Sequence, residues 1–352
     1  MSSDPVTQMA REIAEQPEAV RRTLDALLPR REALRALADG RRRVLFAARG
    51  SSDNAAIYGR YLLETHAGVV GGLASPSIAT HYRSRLDLAD TLVVCVSQSG
   101  ATEEIVATEE WARSCGAATV GVTNVDGSPL AEAADLALVT QAGPELAVPA
   151  TKTYLCQLVS MAVLGTALAP EPAALDGELQ RVPDEVERLL TARDGIDDAV
   201  AALRDAAYAV VSGRGLMMGT ALETALKLEE TCLRPVRGYS YADLRHGPIS
   251  VVTSGMTALL VAAADGPMVG PMLELAGDLT GRGATVVGLG GDAAFAAACD
   301  VHVPGPELPE TVAPLGAIVP AQLLVEGLAR ALGLDPDNPR GLAKVTATDP
   351  HS

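Results

Sequence analysis

The strongest constraint on the fold is an internal repeat, because five stretches of the first half of the chain recur in order in the second half. The paired stretches are 44–52 with 209–217, 91–100 with 257–266, 118–122 with 284–288, 134–139 with 299–304, and 143–146 with 305–308. Their offset stays between 162 and 166 residues, whereas solenoid repeats recur every ~20–50 residues. The repeat therefore predicts a duplicated domain.

Each copy has the pattern of a parallel sheet covered by helices. The predicted strands are Val44–Ala48, Thr91–Val96, Thr119–Thr123, Leu136–Val139, Ala209–Ser212, Thr257–Ala262, Thr285–Leu289 and Asp300–Val303. Segments long enough for a helix separate them, as in sheets with helices on both faces. We therefore predict an α/β fold with two tandem, doubly wound, flavodoxin-like parallel-sheet domains.

The predicted boundaries divide the chain into five parts. These are a helical lead-in (1–38), the first domain (39–167), connecting helices (168–205), the second domain (206–334) and a carboxyl-terminal tail (335–352). The uncharged stretch Thr153–Pro170 carries Gln157, Ser160 and Thr166, so we interpret it as a buried helix and not as a membrane span.

Composition excludes several classes of function. The chain of 352 residues carries 28 Lys and Arg against 44 Asp and Glu, a net charge of −16, which argues against a nucleic-acid or membrane-binding surface. Its five scattered cysteines form no CxxC or Cys/His cluster, so neither disulfides nor a metal site is expected. The first residues lack a signal-peptide pattern, which predicts a cytoplasmic protein. Gly213-Arg214-Gly215 lacks the third glycine of a dinucleotide fingerprint, and no cofactor is expected.

A polar turn follows the predicted strand Thr91–Val96. Its residues are Ser97, Gln98, Ser99, Gly100, Ala101 and Thr102. Hydroxyls beside a helix N-terminus bind anions, although ordinary N-capping explains the same residue types. Gly50, Ser51 and Ser52 follow the preceding predicted strand at the equivalent place, which favours a phosphate site. The second copy has Ala262–Gly266 there, with the carboxylate of Asp265, so only the first copy is expected to bind phosphate.

Other candidate residues lie in the second half. One stripe of a predicted helix carries Glu223, Lys227 and Glu230. This pattern indicates either a surface ion pair or a general base beside an ammonium group. His246 lies in a predicted Gly-Pro loop, as a surface residue or a proton shuttle. Lys344 lies in a Pro- and Gly-rich tail that is expected to be irregular.

Taken together, these motifs resemble the sugar isomerase (SIS) domain family. The motifs GSS, SQSGAT, ALETALKLEE, RHGP and PRGLAK follow one another over essentially the whole chain. Their arrangement is similar to the isomerase half of glucosamine-fructose-6-phosphate aminotransferase. The resemblance implies a hexose 6-phosphate bound by Gly50, Ser51, Ser52, Ser97, Gln98, Ser99 and Thr102, with Val148, Ala150, Arg340 and Ala343 also binding substrate.

The resemblance also implies catalytic roles. Glu230 would move a proton between C1 and C2 of the sugar, and Glu223 and Lys227 would position it and contact the open-chain sugar. His246 would open the ring in the site of a neighbouring subunit, which implies a homodimer with active sites at the subunit interface. Lys344 resembles the lysine that forms a Schiff base with the keto sugar.

Two departures from the aminotransferase pattern leave the reaction open. Arg49 stands where aminotransferases have cysteine, so ARGSSDNA is more similar to the glutamine-independent deaminase subgroup, and Ala150 stands where they have serine. The sequence shows no glutaminase domain, so glutamine is not expected to supply nitrogen. The leading expectation is an isomerase/deaminase of an amino-hexose 6-phosphate. The alternatives are a dehydratase of N-acetylglucosamine 6-phosphate and a non-catalytic sugar-phosphate sensor.

Overall fold

The computed structural model describes residues 6–344. Its first helices are α1 (Gln8–Ala14), α2 (Gln16–Leu27) and α3 (Arg31–Ala38). The stretch predicted as a helical lead-in contains three helices, because a 3₁₀ turn, Leu28–Arg30, with Pro29 near its start separates α2 from α3. Proline lacks the N–H that a continuous α-helix needs at this point.

A five-stranded parallel sheet follows, with strand order β2-β1-β3-β4-β5. Its elements are β1 (Arg43–Ala47), α4 (Ser51–Leu62), β2 (Val70–Leu73), α5 (Ser77–Thr80), β3 (Thr91–Val96), α6 (Glu103–Ser114), β4 (Ala118–Thr123), α7 (Pro129–Ala133), β5 (Leu136–Val139) and α8 (Lys152–Leu168). Strands β3 and β4 are buried along their whole length, as expected for parallel strands covered on both faces.

A second parallel sheet has the order β10-β9-β8-β6-β7 and repeats the first. The helices before it are α9 (Ala173–Leu179), α10 (Val182–Thr191) and α11 (Ile196–Arg204). The remaining elements are β6 (Tyr208–Gly213), α12 (Met218–Cys232), β7 (Val236–Ser240), α13 (Tyr241–Arg245), β8 (Met256–Ala262), α14 (Val269–Gly281), β9 (Thr285–Gly290), α15 (Ala293–Ala298), β10 (Val301–Val303) and α16 (Ala313–Ala331). The prediction of two parallel α/β sheets is confirmed.

By internal contacts the chain divides into two compact units. The first-sheet unit comprises Glu18–Pro144 and Lys152–Leu179. The second-sheet unit comprises residues 6–17, Glu145–Thr151 and Gln180–Lys344. Short pieces from early in the chain therefore belong to the unit built mainly from its second half.

Burial within each unit follows from composition. Helix α8 is buried over nearly all of its 17 residues, which agrees with the predicted buried helix. Helix α16 is similarly apolar and contains Pro320 in its interior. Within residues 6–344, no helix is long and apolar enough to cross a membrane.

Strand order fixes where a ligand can bind in the first-sheet unit. The chain runs outward in one direction from β1 to β2 and in the other from β3 to β5. The connections that follow β1 and β3 therefore run to opposite faces of the sheet. A crevice opens between them at the carboxyl ends of these two strands. The turns after β1 and β3 are the two turns that the sequence predicts to bind phosphate.

Candidate active site

The polar turn after β3, residues 97–102, has the geometry of an anion-binding site, and we call it the anion turn. The Oγ of Ser97 and the Oγ1 of Thr102 share a hydrogen bond of 2.9 Å. Thr102 is the N-cap residue of α6, yet its side chain makes no capping hydrogen bond. Ordinary N-capping therefore does not explain Thr102, and the N-terminus of α6 keeps N–H groups suited to an anion.

Gly100 shapes the middle of the anion turn. Its φ is +62°, and a Cβ built there would collide with the Oγ of Ser128. The N–H of Gly100 donates to the carbonyl of Ser97 at 3.1 Å, and the N–H of Ala101 donates to the Oγ of Ser99 at 3.2 Å. The turn is thus a compact loop that only glycine fits at position 100.

The turn after β1 presents a second helix N-terminus. Gly50 is the N-cap of α4, with φ +57° and no side-chain cap, and Ser52 is 8% exposed. The guanidinium of Arg49 is paired with Glu104, and each of the two carboxylate oxygens of Glu104 accepts a hydrogen bond of 3.0 Å from it. Arg49, which distinguishes this chain from the aminotransferase pattern, therefore joins the turn after β1 to helix α6.

The equivalent place in the second-sheet unit already holds carboxylates. Asp265 Oδ1 accepts a hydrogen bond of 2.7 Å from the N–H of Glu310. A Cβ built at Gly266 would collide with the Glu310 carboxylate. Burial, together with the charge of Asp265, raises the pKa of the Glu310 carboxyl. These carboxylates would repel an anion, and phosphate binding by the first copy stays a prediction.

Helix α12 carries a buried group of charges. Lys227 Nζ lies 3.6 Å from Glu223 Oε1 and is also paired with Glu230. The side chains of Lys227 and Glu223 are 3% and 1% exposed, whereas that of Glu230 is 26% exposed. The interpretation as a surface ion pair is therefore wrong, and Glu230 is the member of this group that solvent or a ligand can reach.

The carboxylates keep Lys227 charged. Burial alone lowers the pKa of Lys227, but Glu223, Glu230 and Glu145 outweigh it and raise that pKa overall. Lys227 is therefore an ammonium held between carboxylates. Glu230 is thus a carboxylate with a fixed cation beside it, which is a suitable arrangement for a proton acceptor.

The tail brings a second lysine to the same unit. Lys344 Nζ donates to Glu145 Oε2 at 2.8 Å and to the carbonyl of Ala147 at 2.6 Å. Farther back, the N–H of Val148 donates to the carbonyl of Asp337 at 2.8 Å. The described part of the tail is irregular, as predicted, but it is fastened to residues 145–151. We call Glu223, Lys227, Glu230, Glu145 and Lys344 the acid–lysine cluster.

Helix α1 holds the 145–151 loop from another side. Glu12 is fully buried and accepts hydrogen bonds from the N–H groups of Leu146, at 2.5 Å, and Ala147, at 3.3 Å. Neither Glu12 nor Glu145 is predicted from the sequence. The signal available for Glu145 is the tetrapeptide GPEL, which recurs at 305–308.

The remaining predicted residues are placed as follows. His246 is exposed and follows α13, and within residues 6–344 its imidazole makes no hydrogen bond. Val148 and Ala150 are half-buried in the 145–151 loop, and Arg340 and Ala343 are exposed on the tail. The structure brings Lys344 to the α12 charges through Glu145, but it does not bring His246 to any of them. In the described part of the chain, no group of three or more His, Cys, Asp or Glu is arranged to hold a metal.

The fold and the site define a duplicated α/β protein with one anion turn and one buried acid–lysine cluster. The SIS domain matches residues 37–167. A solved structure from Silicibacter pomeroyi, provisionally described as a phosphosugar isomerase, is 34% identical, with a TM-score of 0.86 over 94% of this chain and 100% of that one. The chain belongs to the SIS domain family.

Two other relatives bear on the reaction. Glutamine–fructose-6-phosphate aminotransferase of Thermococcus kodakarensis is 35% identical over 96% of this chain and 57% of its own length. The chain thus spans little more than half of that relative. The solved glucosamine-6-phosphate deaminase of Thermotoga maritima has a TM-score of 0.76 and 24% identity, covering 97% of this chain and 100% of that one, and at this identity it shows the fold alone.

Proposed function

We propose that the protein is a phosphosugar isomerase/deaminase that converts an amino-hexose 6-phosphate of the glucosamine type into a ketohexose phosphate and ammonia. The observation that carries the proposal is the burial of Glu223 and Lys227 beside the half-exposed Glu230. The deaminase name of one structural neighbour and the aminotransferase name of the curated relative support the substrate class.

In the proposed reaction Glu230 is the base. His246 assists opening of the sugar ring, and Glu230 removes the proton from C2 and returns it to C1. The amino sugar thereby becomes a ketimine at C2, which water hydrolyses to the ketose and ammonia. Lys227 offsets the charge of Glu230, and the donors of the anion turn bind the 6-phosphate.

One assay tests this function. Glucosamine 6-phosphate is incubated with the protein, and ammonia and the ultraviolet spectrum are followed together. We expect ammonia from the wild type, a loss of about 10²–10⁴-fold in rate for Glu230→Gln, and near wild-type activity for Glu229→Gln. Glu229 is the matched control because it is the adjacent carboxylate on α12 and is exposed. A wild type that releases no ammonia would contradict the proposal.

The half-buried Ala150 favours a second candidate reaction. Compared with the serine of the aminotransferase pattern, this alanine lacks a hydroxyl in the 145–151 loop and leaves room for an acetylated nitrogen. After removal of the C2 proton from N-acetylglucosamine 6-phosphate, the C3 hydroxyl leaves with a proton as water. The product is an ultraviolet-absorbing enal without ammonia, and Glu230→Gln should abolish it. Tight binding of either sugar without turnover would instead indicate a sensor.

A further inference from the structure

Lysine is rare in this chain, and its placement is informative. Among 28 basic residues only Lys152, Lys227 and Lys344 are lysines. Lys152 and Lys227 are 1% and 2% exposed, whereas the side chain of Lys344 is 27% exposed. Lys344 is therefore the one lysine amine that a reagent in solution can readily reach.

The carboxylate of Glu145 is the contact that fixes Lys344. Its side chain has no exposed surface. One oxygen accepts the hydrogen bond from Lys344, and the other accepts from the N–H of Thr151 at 3.0 Å. Glu145 thus joins the tail to both ends of the 145–151 loop, since Thr151 ends that loop.

Glu145 also contributes to the charge around Lys227. The acid–lysine cluster holds three carboxylates and two ammonium groups, and Glu145 acts on both lysines. With every member ionised, the cluster has one negative charge in excess. Glu145 is thus the carboxylate that gives the cluster its net negative charge.

We propose that Glu145 is a positioning residue that holds the Lys344 amine against the 145–151 loop and supplies the third carboxylate of the acid–lysine cluster. The part of this proposal that concerns turnover rests on the proposed function. The part that concerns Lys344 stands on the contacts alone and can be tested without any substrate.

The first test is the rate at which Lys344 is acetylated by N-hydroxysuccinimidyl acetate, read by peptide mass spectrometry. Loss of the Glu145 charge in Glu145→Gln removes the carboxylate that holds the ammonium, so the amine is free to move into solvent. We expect several-fold faster labelling than in the wild type. Glu307→Gln, at the exposed equivalent position of the second GPEL, should leave the rate unchanged. Equal labelling of Glu145→Gln and the wild type would overturn the proposal.

The second test separates charge from structure. In Glu145→Gln the cluster loses its excess negative charge, so the acid limb of the kcat/KM profile moves to lower pH and kcat decreases. Glu145→Asp keeps the charge but shortens the reach to Lys344, so labelling accelerates while the acid limb stays in place. Glu145→Gln/Lys344→Gln removes both charges and should return the limb toward the wild-type position.

The outcomes distinguish the two levels of inference. A wild type without turnover contradicts the proposed function, and the labelling rates still decide the role of Glu145. An acid limb that moves equally in Glu145→Gln and Glu145→Asp would show a purely structural effect and would overturn the charge role. If Glu145→Gln does not fold, the labelling of Glu145→Asp decides the contact with Lys344.

Discussion

Lys227 illustrates how one residue couples stability to chemistry. Its ammonium is buried, and removing a charge from water costs several kcal/mol unless partners offset it. Glu223 and Glu230 provide that offset from the same helix, three and four residues away. Replacing Lys227 alone therefore leaves both carboxylates without their cation.

We predict that Lys227→Met lowers the free energy of unfolding by about 3–5 kcal/mol at neutral pH. The two carboxylates lose the cation between them, so their mutual repulsion in the folded state increases with their ionisation. The loss of stability should then grow as pH rises and shrink as pH falls. Urea unfolding at pH 5 and pH 8 measures both effects.

A matched double variant controls for the lost packing. Glu223→Gln/Lys227→Met removes one carboxylate with the ammonium, and its stability should vary less with pH than that of Lys227→Met. Parallel pH dependences in the two variants would mean that charge compensation is not what Lys227 supplies.

At the scale of the element, the anion turn depends on Gly100. Both Gly100 and Gly127 have positive φ, +62° and +65°, but a Cβ meets Ser128 at Gly100 and nothing within 4 Å at Gly127. We predict that Gly127→Ala costs about 1–2 kcal/mol from backbone strain. Gly100→Ala should cost more and also raise the KM for the sugar phosphate. Calorimetry measures the stability cost and steady-state kinetics measure the KM. Equal effects of the two substitutions would contradict the predicted collision between a Cβ at position 100 and Ser128.

Helix α6 also carries a fully buried carboxyl, that of Glu109. Among residues 6–344, neither of its carboxyl oxygens has a hydrogen-bond partner. Burial, with the charges of Asp135 and Glu110 and against that of Arg113, raises the pKa of Glu109 to about 8 from its ordinary 4.5. Burial raises the pKa of the Cys95 thiol on β3, and the nearby charge of Glu109 raises it further.

The sign of the resulting pH dependence follows from proton binding. Between pH 4.5 and 8 the folded state keeps the Glu109 proton and the unfolded state loses it, so Glu109 lowers stability progressively as pH rises through that window. We predict that Glu109→Gln raises the free energy of unfolding by about 1–3 kcal/mol at pH 8 and changes it little at pH 4.5. Thermal unfolding at both pH values measures this, and Glu110→Gln, at an exposed position whose charge is only the smallest contribution to the Glu109 pKa, should have a much smaller effect at pH 8. A stabilisation independent of pH would contradict the assignment.

Elements differ in how well the sequence predicts them. The eight predicted strands are all found, with each end within one residue, because each reads as a short run rich in apolar and β-branched residues. Strands β2 and β7 are missed because glycine interrupts each run and their residues are partly exposed. The anion turn and α12 are predicted from local motifs. Glu12 and Glu145 are not, because their partners lie more than a hundred residues away.

At the scale of the molecule, duplication has been followed by specialisation. The strand orders of the two sheets correspond element by element. The first copy keeps hydroxyls in the turn after its third strand, whereas the second has placed Asp265 and Glu310 there. Only one copy can then bind an anion, and the other is free to supply the acid–lysine cluster on α12.

We predict that the protein is a homodimer in which His246 serves the partner's site. Glu230→Gln and His246→Ala should each be inactive. Their mixture, after subunit exchange, should regain about a quarter of wild-type activity, because half of the dimers are mixed and each has one intact site. Light scattering establishes the dimer, and refolded unmixed variants are the control. No recovery on mixing would place His246 in the site of its own chain.

The division of the chain into two units has a consequence for whether its halves can fold separately. Within residues 6–344 the polypeptide passes from one unit to the other four times, at residues 17/18, 144/145, 151/152 and 179/180. Two modules joined end to end would need a single crossing. No single cut therefore separates the two units into self-sufficient halves. Neither half of the gene should yield an independent, well-folded product, although the repeat makes such a division seem natural.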